Sequence, residues 1–238
     1  MGRVWGPEEI ARRFKEIRER VAEAALRVGR RPEEIRILGA AKGQNPEKIR
    51  AAAEAGLRLV GENYVQEAER KRPLLEDLPL SWHLIGYLQR NKARKALKVF
   101  DLIETVDRTE IAERLSRLAL EEGRRFPVFI QVKLAPEERK AGAPPEEVPA
   151  LARRVLELPG LEPRGLMTIP PYFEDPEEVR PYFRRLREMR DHLWETLKLP
   201  GPGELSMGMS HDFEVAIEEG ATLVRLGRAL FGPRPPKA

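Results

Sequence analysis

Short apolar runs alternate with longer amphipathic stretches along most of this sequence, and no other property of it narrows the accessible folds so far. The runs are Arg36–Ala41, Arg58–Gly61, Ser81–Gly86, Leu102–Val106, Pro127–Val132, Arg164–Ile169, Glu204–Met209 and Thr222–Leu226. Each has the length and near-continuous hydrophobicity of a strand buried on both faces, and helical stretches lie between them. Helix starts are marked too. Asn45 precedes Pro46, and Asp175 precedes Pro176 with Glu178 behind it, so a side-chain acceptor is followed by a residue whose φ is already helical. Ahead of the first run, residues 7–29 predict a leading helix with Ile10, Phe14, Ile17, Val21, Ala25 and Val28 on one face. Eight strands, each followed by a helix, make a parallel sheet that closes on itself, an α/β fold of the (β/α)8 TIM-barrel type. An open doubly wound sheet is the alternative, but no G-x-G-x-x-G turn follows the first strand. One barrel domain is expected to occupy residues 1–238.

Composition removes several function classes. With no cysteine in 238 residues there is no disulfide, thiolate metal site, iron–sulfur cluster or cysteine nucleophile. The three histidines (His83, His192 and His211) do not make a histidine-rich metal centre, and no metal ligand is assigned. No apolar stretch approaches the roughly 20 residues that cross a bilayer. The first fifteen residues already carry Arg3, Glu8, Glu9, Arg12 and Arg13, so a cytoplasmic protein with no membrane partner is expected. The 43 basic and 39 acidic side chains leave a net charge of +4, with the signs interleaved. Nucleic-acid binding calls for a one-sided basic stripe. The nearest candidate, Arg90, Lys92, Arg94, Lys95 and Lys98, reads as a solvated helix face, so no nucleic-acid partner is expected. A charged fraction of 34% and 21 prolines resemble a heat-adapted composition, which bears on stability alone.

A barrel makes a functional forecast before any motif is weighed, because its sites lie where the strands end and the βα-loops gather. The polar residues ending the runs are Lys42, Glu62 with Asn63, His83, Asp107, Lys133, Thr168, Ser210, and Arg225 with Gly227. A lysine aimed into a barrel mouth is costly to desolvate as a cation, which favours a neutral, nucleophilic amine able to condense with an aldehyde. Its bland alternative is a lysine reaching back to water. The turns at Leu205–Ser210 and Arg225–Arg228 are of the kind that faces backbone N–H groups toward a phosphate after strands seven and eight, or that merely caps helices. Ser210, His211 and Asp212 are consecutive and lack a G-x-S-x-G turn, so they make no hydrolase triad. Glu62 and Glu67 are a candidate pair of catalytic carboxylates, but a helix-start charge and a surface face suffice to explain them. His83, between Trp82 and Leu84, reads locally as a satisfied core histidine.

Six blocks then fall in one order and spacing: Gly39-Ala40-Ala41-Lys42; Gly61-Glu62-Asn63-Tyr64-Val65-Gln66-Glu67; Trp82-His83-Leu84-Ile85-Gly86 with Leu88-Gln89-Arg90-Asn91-Lys92; Gly165-Leu166-Met167-Thr168-Ile169-Pro170; Leu205-Ser206-Met207-Gly208-Met209-Ser210 with Asp212-Phe213-Glu214; and Val224-Arg225-Leu226-Gly227-Arg228-Ala229-Leu230-Phe231-Gly232. Together they resemble the pyridoxal phosphate homeostasis proteins from about Ile37 to Gly232. The resemblance implies a barrel of the alanine-racemase N-terminal type that holds pyridoxal 5′-phosphate (PLP) as a Schiff base on Lys42. It implies Ser210, Gly227 and Arg228 at the phosphate, Arg225 facing the pyridine nitrogen, and Asn63, His83 and Thr168 lining the ring or its hydroxyl. The chain departs from the family pattern at Gly43, Gln44, Tyr87, His211 and Arg228, so a phosphate contact at Arg228 would come from its backbone.

Arg225 also bears on whether the chain is a catalyst. An arginine stays charged and disfavours a second positive charge on the ring nitrogen, leaving the ring a poorer electron sink. Racemases resembling this fold work with two acid–base groups flanking the substrate carbon, one from an added C-terminal β-domain. This sequence ends at Ala238, soon after Gly232. The expectation is therefore a monomeric PLP-binding protein of intracellular PLP homeostasis, with no catalytic residue assigned and PLP-dependent apoenzymes as recipients. The competing reading is an amino-acid racemase using Lys42 and a residue such as Tyr172 or His83.

Overall fold

All eight expected strands form, and hydrogen bonds join them in sequence order into one closed parallel barrel. The computed structural model describes residues 5–135 and 141–233. The elements are α1 (Pro7–Arg27), β1 (Arg36–Ala40), α2 (Pro46–Glu54), β2 (Leu59–Glu62), α3 (Val65–Lys71), β3 (Ser81–Leu84), α4 (Ala93–Val99), β4 (Leu102–Val106), α5 (Thr109–Glu121), β5 (Phe126–Val132), α6 (Val148–Glu157), β6 (Leu161–Thr168), α7 (Arg180–Leu197), β7 (Glu204–Ser206), α8 (Phe213–Glu218), β8 (Leu223–Leu226) and α9 (Arg228–Phe231). Asn45 caps α2 by accepting the Lys48 N–H, and Asp175 accepts the Glu177 N–H at a 3-10 turn ahead of α7.

Successive strand residues face opposite sides of the sheet, and two apolar layers result. Leu38, Leu102, Phe129, Met167 and Leu223 pack inside the barrel with Ile85. Trp82, Phe126, Phe213 and Phe231 are fully buried in the larger layer between sheet and helices. Removing each such side chain from water contributes about 1.5–3 kcal/mol. At the lower end of the barrel, Arg36 and Glu204 form an ion pair.

The barrel closes where β1 pairs with β8, with Leu38 opposite Arg225 and Gly39 opposite Leu226. Helix α1 packs against α2, α8 and α9, the helices on either side of this closure. Its buried face carries Ile10, Phe14, Ile17 and Val21, and Arg20 and Arg27 reach Glu214 and Glu218 of α8 at 2.7 and 2.9 Å. The helix stops at Arg27, so Val28 is not part of the packed face. Gly29 takes φ +70°, and the Arg30 N–H turns back to the Ala25 carbonyl, which ends the helix in a left-handed cap. Strand β7 also stops short, at Ser206 rather than Met209, because Gly208 turns the chain at φ +92°. Strand β6 starts earlier than Arg164, since Phe126 already pairs with Leu161.

Gly165 lets β6 lie close against β7: a Cβ there would stand 2.2 Å from the Glu204 carbonyl oxygen. Backbone cannot swing aside as a side chain can. Gly165→Ala is expected to destabilise the chain by about 1–3 kcal/mol or more, read as a lower urea midpoint with unchanged slope.

Candidate functional site

The side-chain alternation sorts the expected residues before any contact is considered. Ile37 of β1 belongs to the outer layer and Leu38 to the interior, so Lys42, an even number of residues on, continues the inward row. The same count turns Gly61, Asn63, His83, Glu104, Ser206, Arg225 and Gly227 inward, and Glu62 and Thr168 outward.

Lys42 sits on a tight turn. The Ala41 carbonyl accepts the Gln44 N–H at 2.9 Å, and Gly43 holds φ +69°, the left-handed geometry such a turn asks of its third residue. That explains a glycine directly after the lysine. Lys42 is half-buried, and its Nζ donates to the Tyr64 hydroxyl at 3.4 Å while lying 4.9 Å from that ring's centroid.

Below the mouth lies a connected set of buried polar groups. His83 Nδ1 shares a 2.7 Å hydrogen bond with Glu104 Oε1, and the Ser206 hydroxyl donates to Glu104 Oε2 at 2.5 Å. Arg225 donates from Nη1 to the Ser206 Oγ at 2.7 Å and from Nη2 to the Thr168 carbonyl at 2.8 Å. Burial pushes the Glu104 carboxyl up, but the His83 bond, the charges of His83 and Arg225, and the Ser206 hydroxyl outweigh it and hold the group below its ordinary range. An ionised Glu104 requires the proton on His83 Nδ1. Burial lowers the Arg225 pKa, with Glu104 and Asp212 pulling the other way.

Next to the end of β1 that leads into Lys42, the turn after β7 meets the start of α9. Ser210 Oγ accepts the Ala229 N–H at 3.1 Å, so a hydroxyl stands beside the Gly227–Arg228–Ala229 backbone. Asp212 braces the turn by accepting the Met209 N–H at 2.6 Å, and burial raises its pKa. A Cβ on Gly208 would come 2.5 Å from that of Ala216, so this turn has room only for glycine. A Cβ on Gly227 would meet nothing nearer than the Ala40 carbonyl oxygen at 3.5 Å. Bare backbone therefore faces the mouth beside the end of β1.

The structure thus brings Lys42, Asn63, His83, Ser210, Arg225, Gly227 and Arg228 to one end of the barrel interior. Thr168 is turned differently. Its buried hydroxyl donates to the Val132 carbonyl at 2.8 Å, and only its own carbonyl reaches the network. Lys133 is half-buried, with its N–H on the Ala143 carbonyl, and Asp107 is paired with Arg108 at 2.5 Å. The basic run on α4 is solvated as expected, Arg94 pairing with Glu121 and Lys95 with Glu69.

A second expectation is corrected besides that of Thr168. Glu62 and Glu67 are no helix-start or surface charges: Glu62 is fully buried, with Oε1 2.6 Å from Lys71 Nζ, and half-buried Glu67 accepts from the same ammonium at 2.9 Å. Glu104 and Ser206 were missed, although each is a polar residue at an inward position inside an otherwise apolar run. His83 meets the core reading in that it is buried and partnered.

The donor set (an amine, a hydroxyl beside backbone N–H groups, and a buried guanidinium further down) is complementary to a small ligand bearing a carbonyl, an anionic group and a ring acceptor. Fold and mouth together define the class. The chain is a barrel of the alanine racemase, N-terminal domain, kind, a family model that matches residues 15–235. More particularly, it belongs to the pyridoxal phosphate homeostasis protein family. The protein of that description from Aquifex aeolicus is 47% identical over 222 residues, covering 93% of this chain and 97% of the relative. Its counterpart from Pseudomonas aeruginosa is 44% identical over 225 residues, covering 94% and 96%. Among solved structures, PipY of Synechococcus elongatus, with PLP bound, aligns with a TM-score of 0.80 at 42% identity, over 91% of this chain and 100% of that one.

Glu104 yields a signed prediction. Its folded pKa lies below the unfolded value near 4.5, so its stabilisation is complete above that value and lost as pH falls through the folded one. Glu104→Gln is expected to cost about 3–5 kcal/mol near neutral pH by leaving Arg225 and His83 poorly matched. In urea titrations the variant and parent should converge in acid.

Proposed function

We propose that this chain binds pyridoxal 5′-phosphate, holds it as a Schiff base on Lys42, and keeps it in reserve for the cell's PLP homeostasis. The observation that carries this is the position of Lys42, the amine on the inward row just past the end of β1, on the strand next to the Ser210–Gly227 backbone. The PLP found in PipY supports the same ligand here. When bound, the group supplies an aldehyde for the amine, a phosphate dianion and a pyridine nitrogen.

The chain's own residues then divide the work. Ser210, Gly227 and the Arg228 backbone offer a hydroxyl and N–H donors to the phosphate. Arg225, held by Ser206 and Thr168 and offset by Glu104, would set its positive charge against the pyridine nitrogen and so disfavour a proton there. Asn63 and His83, on the inward rows of β2 and β3, would line the ring, and Thr168 contributes through the carbonyl that holds Arg225.

A reserve or carrier role is favoured over racemisation by where the acid–base candidates stand. His83 is tied to Glu104, and Tyr172 is 68% exposed with its ring 5.2 Å from that of His211. The reading includes a cytoplasmic monomer that yields PLP to PLP-dependent apoenzymes. No described helix is long and apolar enough to cross a membrane, and the exposed large apolar residues, such as Leu26, Leu74, Leu120 and Leu156, are spread over separate elements.

The purified chain is expected to show a visible absorbance band that borohydride abolishes, leaving one label per chain on Lys42. Lys42→Ala should lose band and label while retaining its fold by circular dichroism. A label at full stoichiometry in that variant would remove Lys42 from the reading. Arg225→Glu should shift the band's pH titration toward the protonated ring. Incubation with L-alanine in deuterated water should give no α-deuteration at enzymatic rates; rapid exchange would replace the carrier by a racemase.

A further inference from the structure

The buried cluster on the outer side of β2 takes no part in the site as described, yet it touches the backbone on both sides of Lys42. Lys71 of α3 donates from Nζ to three oxygens: the Ala41 carbonyl at 2.9 Å, Glu62 Oε1 at 2.6 Å and Glu67 Oε2 at 2.9 Å. Glu67 Oε2 also accepts the Gly43 N–H at 3.0 Å. One ammonium thus holds the residue before Lys42 directly and the residue after it through a carboxylate. Burying three charges is expensive, and apolar packing in their place is often as stable. A turn pinned from both ends is something apolar packing would not provide.

We infer that Lys71, gripped by Glu62 and Glu67, is the positioning residue for Lys42, fixing the turn that carries it and so setting where its amine stands. This rests on the reading of Lys42 as the amine that takes the ligand. Loss of the grip frees the Gly43 N–H and lets the lysine wander among rotamers, which slows capture without removing the reacting amine.

The cluster also has a titrating member. Burial pushes the Glu62 carboxyl up to about 7, against the pull of Lys71, and its Oε2 has no hydrogen-bond partner among the described residues. Glu67 is held low despite burial, through the Gly43 N–H, Lys71 and Glu62. The groups around Glu62 can be named element by element. Helix α3 presents Glu67 and Lys71. Strand β1 presents the Ala41 carbonyl, Lys42 being turned to Tyr64. Strand β3 places Leu84 in register, with His83 turned inward to Glu104. Lys48 of α2 is engaged by Gln44 and the Phe231 carbonyl. Since its folded pKa is raised, Glu62 makes the chain more stable below the unfolded value near 4.5 and progressively less so as pH climbs through about 7.

The test compares Lys71→Met, Glu67→Ala, Glu67→Gln and Glu62→Gln with the parent. In ligand-free protein, amide exchange at Gly43 should be about fivefold to tenfold faster in Lys71→Met and Glu67→Ala, the effect of one lost hydrogen bond. Glu67→Gln, which keeps an acceptor, should stay close to the parent. The rate of PLP capture, read by borohydride trapping at timed intervals, should fall in the same order, with the label still on Lys42. A step near pH 7 in Gly43 exchange, after correction for intrinsic rates, should be present in the parent and absent from Glu62→Gln. If Lys71→Met fails to fold, the Glu67 pair decides. Parent-like Gly43 exchange or capture in Lys71→Met, or in Glu67→Ala, overturns the positioning role while leaving Lys42 as the site. A label elsewhere in the parent overturns the site instead, and the exchange data show that failure to be separate.

Discussion

A carboxylate sealed inside a barrel has to be answered by its neighbours, and the answer to Glu104 organises the upper half of this molecule. Its two oxygens take hydrogen bonds from His83 and Ser206, and Ser206 in turn accepts from Arg225. One anion therefore fixes a tautomer on β3, a hydroxyl rotamer on β7 and the reach of a guanidinium on β8. Partial satisfaction would be worse than an apolar core in the same place, so the network is an all-or-nothing commitment. The barrel interior is graded in consequence. A layer of Leu38, Leu102, Phe129 and Leu223 lies toward the lower end, ions and hydroxyls above it, and the amine of Lys42 at the rim.

The rim is built on the opposite principle. There the sequence spends glycines where backbone must come close or turn left-handed, at Gly43 and Gly208, and leaves Gly227 bare. Charged side chains hold the loops from outside: Asp212 behind the Ser210 turn, Lys71 and its carboxylates behind the Lys42 turn. Both devices leave the inner face of the loops free for a ligand's polar atoms. A rigid wall carrying adjustable loops is how barrels come to host binding sites at this end.

The architecture was legible because strands buried on both faces are written as near-continuous apolar runs, and the placement of the candidate residues that end such runs was legible with it. Lys42, Asn63, His83, Arg225 and Gly227 all fall on the inward row. Glu104 and Ser206 were not found, because a polar residue within an apolar run looks like an exception until closure assigns it a side. Glu62 was misread for a related reason: one step past the run it resembles a loop charge, and its partner Lys71 stands between Arg70 and Arg72 in a stretch that looks solvated. Thr168 shows the reverse error. Its place at a strand end was right, but its side chain lies on the outer row and its hydroxyl is spent on β5.

The pairing of β1 with β8 joins the two strands furthest apart in the sequence, with α1 strapped across the helices beside them. Contacts of such long separation are the slowest to form. During synthesis the amine of Lys42 emerges long before the Gly227 backbone that comes to lie beside it. A half-synthesised chain has the lysine and none of the backbone that stands beside it once the last strand has paired with the first. Assembly of this mouth is thus a property of the closed molecule, since its two sides meet only when the barrel does.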